Sequence, residues 1–324
     1  MSKDGAVVTA TSAPTTLGGR IRAHFRRFWW VHLIVIVVVT LCISLPVVYV
    51  GYPRIAQSDI NKSTLEVKSM SITEPTPDSF QLDQEQVIGS SSIFHPTIFA
   101  FDAQVKLAGT ETPFATVQVP QIQANDGVEV HINQHVDLSS ADAFGAFATA
   151  VMVNEEVNLN VYGEPQLKQG PLKTITVNYN KTATMKGLNK LSGFKLLEMK
   201  LTKEKPDGTN SEGEVLIPNP SVMTITMGNL TLDLAVDGTN IGQSFLNDLV
   251  LKPGDNKIAM TANVNQSALV PMLSKYEDKK YIVPCDITGN SSIYNGKHLP
   301  YFEKALAANV LKVDLNILDI LGSS

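Results

Sequence analysis

Residues 28–53 form an apolar run that contains no Asp, Glu, Lys or Arg. A hydrocarbon core about 30 Å thick needs roughly 20 apolar residues as helix, so the run is long enough to cross a bilayer. Trp29 and Trp30 stand near one end, and Tyr49 and Tyr52 near the other, where aromatic rings settle at membrane–water interfaces. The alternatives are a buried core helix and a cleaved signal peptide, but signal cores are typically about 7–15 residues long and end at small residues. The run predicts a transmembrane helix over residues 28–52.

The charges around this run predict its orientation. Five Lys or Arg against one Asp give residues 1–27 a net charge of +4, whereas the whole chain carries −5 and residues 28–324 therefore carry −9. Cytoplasmic flanks carry the excess of Lys and Arg, so we predict a cytosolic N-terminus and a single-pass type II signal-anchor. Residues 1–27 are predicted to be a disordered basic tail, since residues 2–19 are small and polar without an apolar period.

Glycosylation sequons agree with this orientation. Asn-x-Ser/Thr motifs are candidate glycan acceptors in secretory compartments, although single motifs also arise by chance. All five lie beyond the apolar run, at Asn61, Asn180, Asn229, Asn265 and Asn290.

Cysteine usage excludes a disulfide scaffold. The two cysteines are Cys42, within the apolar run, and Cys285, far along the chain. No disulfide can therefore form inside the part beyond the anchor, and its core must be stable without one. We expect Cys285 to be buried and inert; pairing between chains is the alternative.

Beyond the anchor, apolar and polar residues alternate in short segments such as residues 128–138 and 172–182, separated by Gly, Pro, Asn and Asp. Period-two alternation broken every 8–12 residues or so by such residues predicts antiparallel β-sandwiches. Three segments predict short helices, at residues 139–153, 265–276 and 300–313.

The segments recur in the same order. Residues 65–72 resemble residues 194–201, residues 128–133 resemble 257–262, and the predicted helix at 139–153 precedes that at 265–276 by a similar interval. Common order over several weak matches predicts two copies of one unit of about 125 residues. We assign the first sandwich to residues 60–170 and the second to residues 171–324.

The second copy resembles the late-embryogenesis-abundant type 2 (LEA2, water stress and hypersensitive response) domain over roughly residues 190–290. The segment IPNPSVMTITMGNLTLDL (217–234) is also similar to a fungal family of unknown function found on single-pass anchors (DUF3712-type). The resemblance implies fibronectin-like seven-strand sandwiches and no catalytic residues. Its structural turn motif consists of Asn219, Pro220, Gly238, Gly242, Pro253 and Gly254.

The residues do not point to an enzyme. His131 and His135 fall on one face of a predicted strand, but no Cys/His cluster supplies further metal ligands, so a surface pair is the better interpretation. Glu155 and Glu156 are interpreted as a solvated loop. The sequence contains no nucleophile elbow, phosphate-binding loop, zinc-protease motif or dinucleotide fingerprint. We predict no catalytic, cofactor or metal site, and the acidic balance argues against a nucleic-acid partner.

Two functions are compatible with these features. The first is a scaffold or interaction module that is held near the membrane and binds a protein in the lumen or outside the cell. The alternative is a lipid-binding or lipid-handling module, which would need an apolar tunnel between its sheets. The length of the apolar run suits a thicker late membrane of the secretory route. Within the endomembrane system we expect the vacuolar membrane rather than the plasma membrane.

Overall fold

The computed structural model describes residues 17–316, which divide into two compact units between Ile55 and Ala56. The first unit contains helix α1 (Leu17–Pro46), a π-helical turn (Val47–Gly51) and the start of helix α2 (Tyr52–Lys62). Residues 1–16 of the predicted disordered tail lie outside the described residues. From Leu17 onward that tail is helical, in contrast to the prediction: its four Arg and one Ala are good helix formers and outweigh Gly18 and Gly19.

The apolar run is helical, with two local departures, a kink at Phe28 (φ −119°, ψ 21°) and a π turn after Pro46. Pro46 has no backbone N–H and its ring crowds the carbonyl four residues earlier, so the helix widens into the π turn directly after it. Within residues 17–316, Phe25–Lys62 is the one helix long and apolar enough to cross a membrane. Most large apolar side chains of residues 28–50 are exposed, as lipid-facing side chains would be.

The second unit is mainly β and begins with the first repeat. One sheet has the order β1–β2–β7 and a second has the order β5–β4–β8–β11, while β3, β6, β9 and β10 form a small separate sheet. The elements are β1 (Thr64–Thr73), β2 (Ser79–Gly89), β3 (Thr97–Ile98), β4 (Phe101–Leu107), β5 (Ala115–Val119), β6 (Ile122–Gln123), β7 (Val128–Asp137), α3 (Ala141–Val153), β8 (Glu156–Gly163), β9 (Gln166–Lys168), β10 (Ile175–Thr176) and β11 (Tyr179–Lys186).

The second repeat has the same plan. One group of strands has the order β12–β13–β16 and the other β15–β14–β17–β19, and β15 also pairs with β16. The elements are β12 (Lys195–Leu201), β13 (Ser211–Asn219), β14 (Met223–Val236), β15 (Thr239–Leu251), β16 (Gly254–Val264), α4 (Gln266–Lys275), β17 (Ile282–Tyr294), β18 (Lys297–His298), α5 (Pro300–Ala307) and β19 (Val310–Asn316).

Strand pairing shows that the two repeats are equivalent. Gln104 of β4 lies opposite Tyr162 of β8, and Asp233 of β14 lies opposite Thr288 of β17. Tyr162 and Thr288 each precede a glycine, which aligns β8 with β17 at an offset of 126 residues. Their partners Gln104 and Asp233 then align β4 with β14 at an offset of 129 residues. The predicted tandem of antiparallel sandwiches is therefore confirmed as the fold class.

Alternating side chains build the core of each sandwich. In β11, for example, every second residue from Tyr179 to Met185 is buried and the residues between them are exposed. Successive side chains of a strand point to opposite faces, so one face of each sheet is available for the core. Helix α3 lies between β7 and β8 in the chain and is capped by Ser140, whose side chain accepts a hydrogen bond from the Ala143 N–H at 3.2 Å.

Two predicted boundaries differ from the structure. Strand β11 pairs with β8 along its length, so strand pairing groups residues 179–186 with the first repeat, on the other side of the predicted division at residue 170. The helix predicted over residues 300–313 ends at Ala307, because the alternating residues from Val310 onward pair with β17 as strand β19.

Candidate functional site

The two repeats join at a junction that we call the seam, made by β1 and α3 of the first repeat and β14 and α5 of the second. Met70–Ile72 of β1 pair in parallel with Met223–Ile225 of β14. Beside this pairing, the Phe144 ring of α3 lies 4.8 Å from the Tyr301 ring of α5, measured between centroids. Backbone pairing and aromatic packing thus make one continuous core across the repeats.

Tyr301 also makes a polar contact across the seam. Its hydroxyl donates a hydrogen bond to the carbonyl oxygen of Thr76 at 2.8 Å. Burial raises the pKa of Tyr301 above its ordinary value, which keeps the phenol protonated as the donor.

A small cavity lies inside the seam. Its volume is about 20 Å³, and it is lined by Ile72, Phe144, Phe147, Ala148, Val151, Met152, Leu188, Met223, Ile225, Met227, Phe302 and Ala305. This space is about that of one water molecule, and an apolar lining offers a water no hydrogen-bond partner. The cavity is far too small for an acyl chain.

A second feature was not predicted from the sequence. Residues 90–96, which we call the apolar loop, follow β2 and present Ile93 and Phe94 to solvent. Ile93 is 84% exposed, more than any other large apolar residue in the described part of the chain, and Phe94 is 45% exposed. The sequence signal, two apolar residues between three serines and His-Pro, is too short for a periodic pattern to single out.

The predicted histidine pair lies on the exposed face of β7. His131 Nε2 is 2.9 Å from Asp83 Oδ1, and Asn133 donates to the other oxygen of that carboxylate at 2.8 Å. His135 contacts Asp137 instead, at 3.5 Å. Within residues 17–316, no group of three or more His, Cys, Asp or Glu side chains is arranged to hold a metal ion.

Asn219 anchors the predicted turn motif in the second repeat. It is 1% exposed, and its Oδ1 accepts hydrogen bonds from the backbone N–H and the hydroxyl of Ser221 at 2.9 and 2.6 Å. Its Nδ2 donates to the Met223 carbonyl at 2.8 Å. These bonds fix the turn that includes Pro220 and delivers β14 to the seam.

The glycines of the motif have structural roles. Asp237 and Gly238 have φ of 49° and 76° and close the two-residue hairpin between β14 and β15. Gly242 lies where β15 meets β16, and a Cβ there would lie 2.0 Å from the Asn263 carbonyl oxygen. Gly254 follows the exposed Pro253 and has φ of 93°. The motif therefore shapes the second sandwich and brings no chemically reactive groups together.

The five sequon asparagines all lie on the surface. In four of them the side-chain oxygen accepts a hydrogen bond: Asn61, Asn180, Asn229 and Asn265. Asn290 instead donates from Nδ2, the atom that carries a glycan, to Asp233 at 2.8 Å. Use of these sites stays a prediction.

Cys285 is fully buried in β17, and its sulfur forms no disulfide. Burial raises the pKa of the thiol to about 12. A protonated, inaccessible thiol is a poor nucleophile and a poor metal ligand.

Residues 112–234 match a family model described as "Protein of unknown function (DUF3712)". The matched region extends from the β4–β5 connection into β14 and so includes parts of both repeats. No curated protein matches the chain. The fungal origin and the resemblance to LEA2 domains remain predictions.

Solved structures resemble the chain only distantly. A protein from Archaeoglobus fulgidus shares 8% identity with a TM-score of 0.23, covering 37% of this chain and 96% of its own. A bacterial adhesin from Mobiluncus mulieris shares 8% identity with a TM-score of 0.21, covering 76% and 83%. The periplasmic chaperone SfaE shares 10% identity with a TM-score of 0.18, covering 78% and 98%. At these scores the likenesses carry no conclusion about this chain.

Proposed function

We propose that this chain is a non-enzymatic, single-pass type II membrane protein whose tandem sandwich acts as a membrane-proximal interaction scaffold in the lumen or outside the cell. The observation that carries the proposal is the seam: two sandwiches share one packed core, with space for about one water molecule at their junction. A pair of sandwiches joined in this way presents a fixed surface to a partner and offers no chamber at the seam.

The free edge of the second repeat is the surface we propose for a partner. β14 pairs with the outer side of β1 at Met70–Ile72, whereas the counterpart strand β12 ends the order of strands in the described residues. Leu197 in β12 is 42% exposed. An uncovered strand can accept an extended strand of a partner protein through main-chain hydrogen bonds.

Proximity labelling from the C-terminus of the full chain tests this proposal, with a shortened chain ending at residue 63 as the background. We expect the full chain to capture a protein that the Leu197→Lys variant loses, since a charged residue on an edge opposes strand addition. Val270→Lys, at an apolar residue of α4 that is 56% exposed, should retain the partner. Capture no greater than with the shortened chain would contradict the scaffold.

The lipid-handling alternative makes a different prediction for the same protein. It requires bound lipid to survive purification of the full chain, which native mass spectrometry from detergent micelles would detect. Reproducible lipid adducts beyond those of the shortened chain would favour that alternative. Their absence would agree with the small size of the seam cavity.

The proposed location is the endomembrane system, with the N-terminus in the cytosol and the vacuolar membrane favoured. The charge balance of residues 1–27 and the exposed sequon asparagines support this orientation. A fluorescent fusion at the N-terminus, compared with vacuolar and plasma-membrane markers, tests the compartment. Fluorescence at the plasma membrane would contradict the vacuolar part of the proposal.

A further inference from the structure

Hydrogen bonds hold the apolar loop at Ser90 and Ser92, before its tip, and at His95 after it, whose carbonyl oxygen accepts from Gln123 Nε2. The Ser92 hydroxyl donates to Asp59 Oδ2 of α2 at 2.6 Å, and the Ser90 N–H donates to Asp126 Oδ1 at 2.8 Å. The Phe94 N–H donates to the Ser92 hydroxyl oxygen at 3.0 Å. Beyond the tip, the loop continues into β3 and the small sheet. These bonds fix the backbone while Ile93 remains 84% exposed, so the exposure of the tip is built into the fold.

The second repeat shows what this position does when a neighbour is present. Extended back from Phe101, where β4 begins, the 129-residue offset between β4 and β14 aligns Phe94 with Met223. Met223 is 1% exposed and pairs with Met70 of the preceding repeat. At this position the second repeat therefore contacts the repeat that precedes it in the chain. In the first repeat, α2 and the apolar run precede it in the chain.

Chain connectivity places the loop within reach of a bilayer that contains the apolar run. Asp59, which holds the loop through Ser92, follows Pro53 by only six residues. Six residues span at most about 20 Å even when fully extended. The headgroup region that borders the hydrocarbon core on each side is several ångströms deep, so the loop tip can reach it.

We propose that Ile93 and Phe94 insert into the membrane interface and give the first repeat a second contact with the bilayer. This inference rests on the proposed span of residues 28–52. Apolar side chains on a fixed loop gain by entering the boundary between headgroups and acyl chains. Because Asp59 and Asp126 flank the loop, the partner surface is a neutral one such as phosphatidylcholine, since anionic headgroups would repel both carboxylates.

The test uses an environment-sensitive fluorophore on single cysteines of the full chain, reconstituted in phosphatidylcholine vesicles. One variant is Cys42→Ala with Ile93→Cys, and its matched control is Cys42→Ala with Leu197→Cys, another exposed apolar position. The unchanged chain, labelled at Cys42 in detergent before reconstitution, reports on the anchor itself. Cys285 is buried and does not compete for the label. Quenching is measured with acyl-chain nitroxide lipids and with aqueous iodide.

We expect blue-shifted emission and lipid quenching at position 93, and iodide quenching at position 197. Iodide quenching at position 93 together with lipid quenching at Cys42 would overturn the inserted loop and leave the anchor intact. Lipid quenching at both 93 and 197 would also overturn it, because adsorption would then not be specific to the loop. Loss of lipid quenching at Cys42 would contradict the proposed span, and the loop inference with it.

Discussion

The two repeats differ around the aligned residues Phe94, which precedes β4, and Met223, which begins β14. In the second repeat these residues are strand, buried and paired with β1 across the seam; in the first they form the exposed loop that carries Ile93 and Phe94. The strand order around them is the same. The aligned position is thus buried where a strand of the preceding repeat pairs with it, and exposed where none does.

The same contrast holds at the opposite side of each repeat. Met70–Ile72 on the outer edge of β1 pair with β14, while β12, in the equivalent position, ends the strand order in the described residues. Each of these two surfaces therefore occurs twice in the chain, once as a used copy that contacts the other repeat and once as an unused copy that does not. The used copies form the seam, and the unused copies are the surfaces for which we propose a membrane and a protein partner.

The largest effect is expected at the centre of the seam. Phe144 is 1% exposed and packs against the rings of Phe80, Phe114, Phe147 and Tyr301. Phe144→Ala should lower the free energy of unfolding by about 3–5 kcal/mol through lost packing and a cavity. Tyr301→Phe keeps its ring and loses one hydrogen bond, so it should cost about 1 kcal/mol. Chemical denaturation of the full chain in micelles measures both, and a small loss for Phe144→Ala would mean that the cluster does not join the repeats.

Met223 and Phe94, which the 129-residue offset aligns, test the comparison itself. Met223→Ala should cost about 2–4 kcal/mol because the side chain is buried in the seam. Phe94→Ala should cost below about 1 kcal/mol in micelles, since its ring is 45% exposed. Similar losses for the two variants in the same denaturation experiment would show that the positions do not differ as described.

The hairpin glycines provide a smaller test. Gly238→Val should cost about 1–3 kcal/mol, because a β-branched residue is strained at φ of 76° in a two-residue turn. The first-repeat counterpart Gly109 has φ of 86° in a longer loop, so Gly109→Val should cost less. Thr239→Val, next to the turn, is the control and should change the melting temperature little. An unchanged melting temperature for Gly238→Val would contradict a rigid hairpin.

The last prediction concerns a difference in pH dependence, which is absent below pH 9.0. Cys285 corresponds to Leu159 of the first repeat, and burial raises the pKa of its thiol from 9.0 to about 12. The unfolded chain releases this proton first, so the thiol's contribution is complete below pH 9.0 and is lost as the pH rises towards 12. Above pH 9.0, the unfolding free energy of the natural chain should fall more steeply than that of Cys285→Ala, by about 1.4 kcal/mol per pH unit. Parallel slopes in alkaline denaturation curves would show that the thiol ionises in the folded state.

Much of the fold follows from local patterns. Alternation predicted β7, and the serine cap before an apolar helical period predicted α3, because both signals lie within about a dozen residues. The segment after Ala307 was predicted as helix because the spacing of Val310, Leu311 and Val313 fits a helical period as well as strand alternation. The hydrogen bonds to β17 make it a strand. The first half of β15 escaped prediction because Gly242 interrupts its pattern with φ of 144°.

The candidate surfaces were less accessible to sequence reasoning. The parallel pairing of β1 with β14 joins residues about 150 positions apart, and no local pattern encodes such a contact. Exposure of Ile93 depends on the bonds from Ser92 and Ser90 to side chains elsewhere in the fold. The apolar loop therefore became visible only with the three-dimensional structure.

A glycosidase shift assay on the full chain tests the central claim, that residues 28–52 hold the β unit on the lumenal or extracellular side. The comparison includes a chain with Asn→Gln at all five sequons, and that same chain with Val7→Asn, which places a new sequon before the anchor. We predict that the natural chain shifts on deglycosylation and that both variant chains do not. No shift for the natural chain, or a glycan at position 7, would contradict the type II anchor.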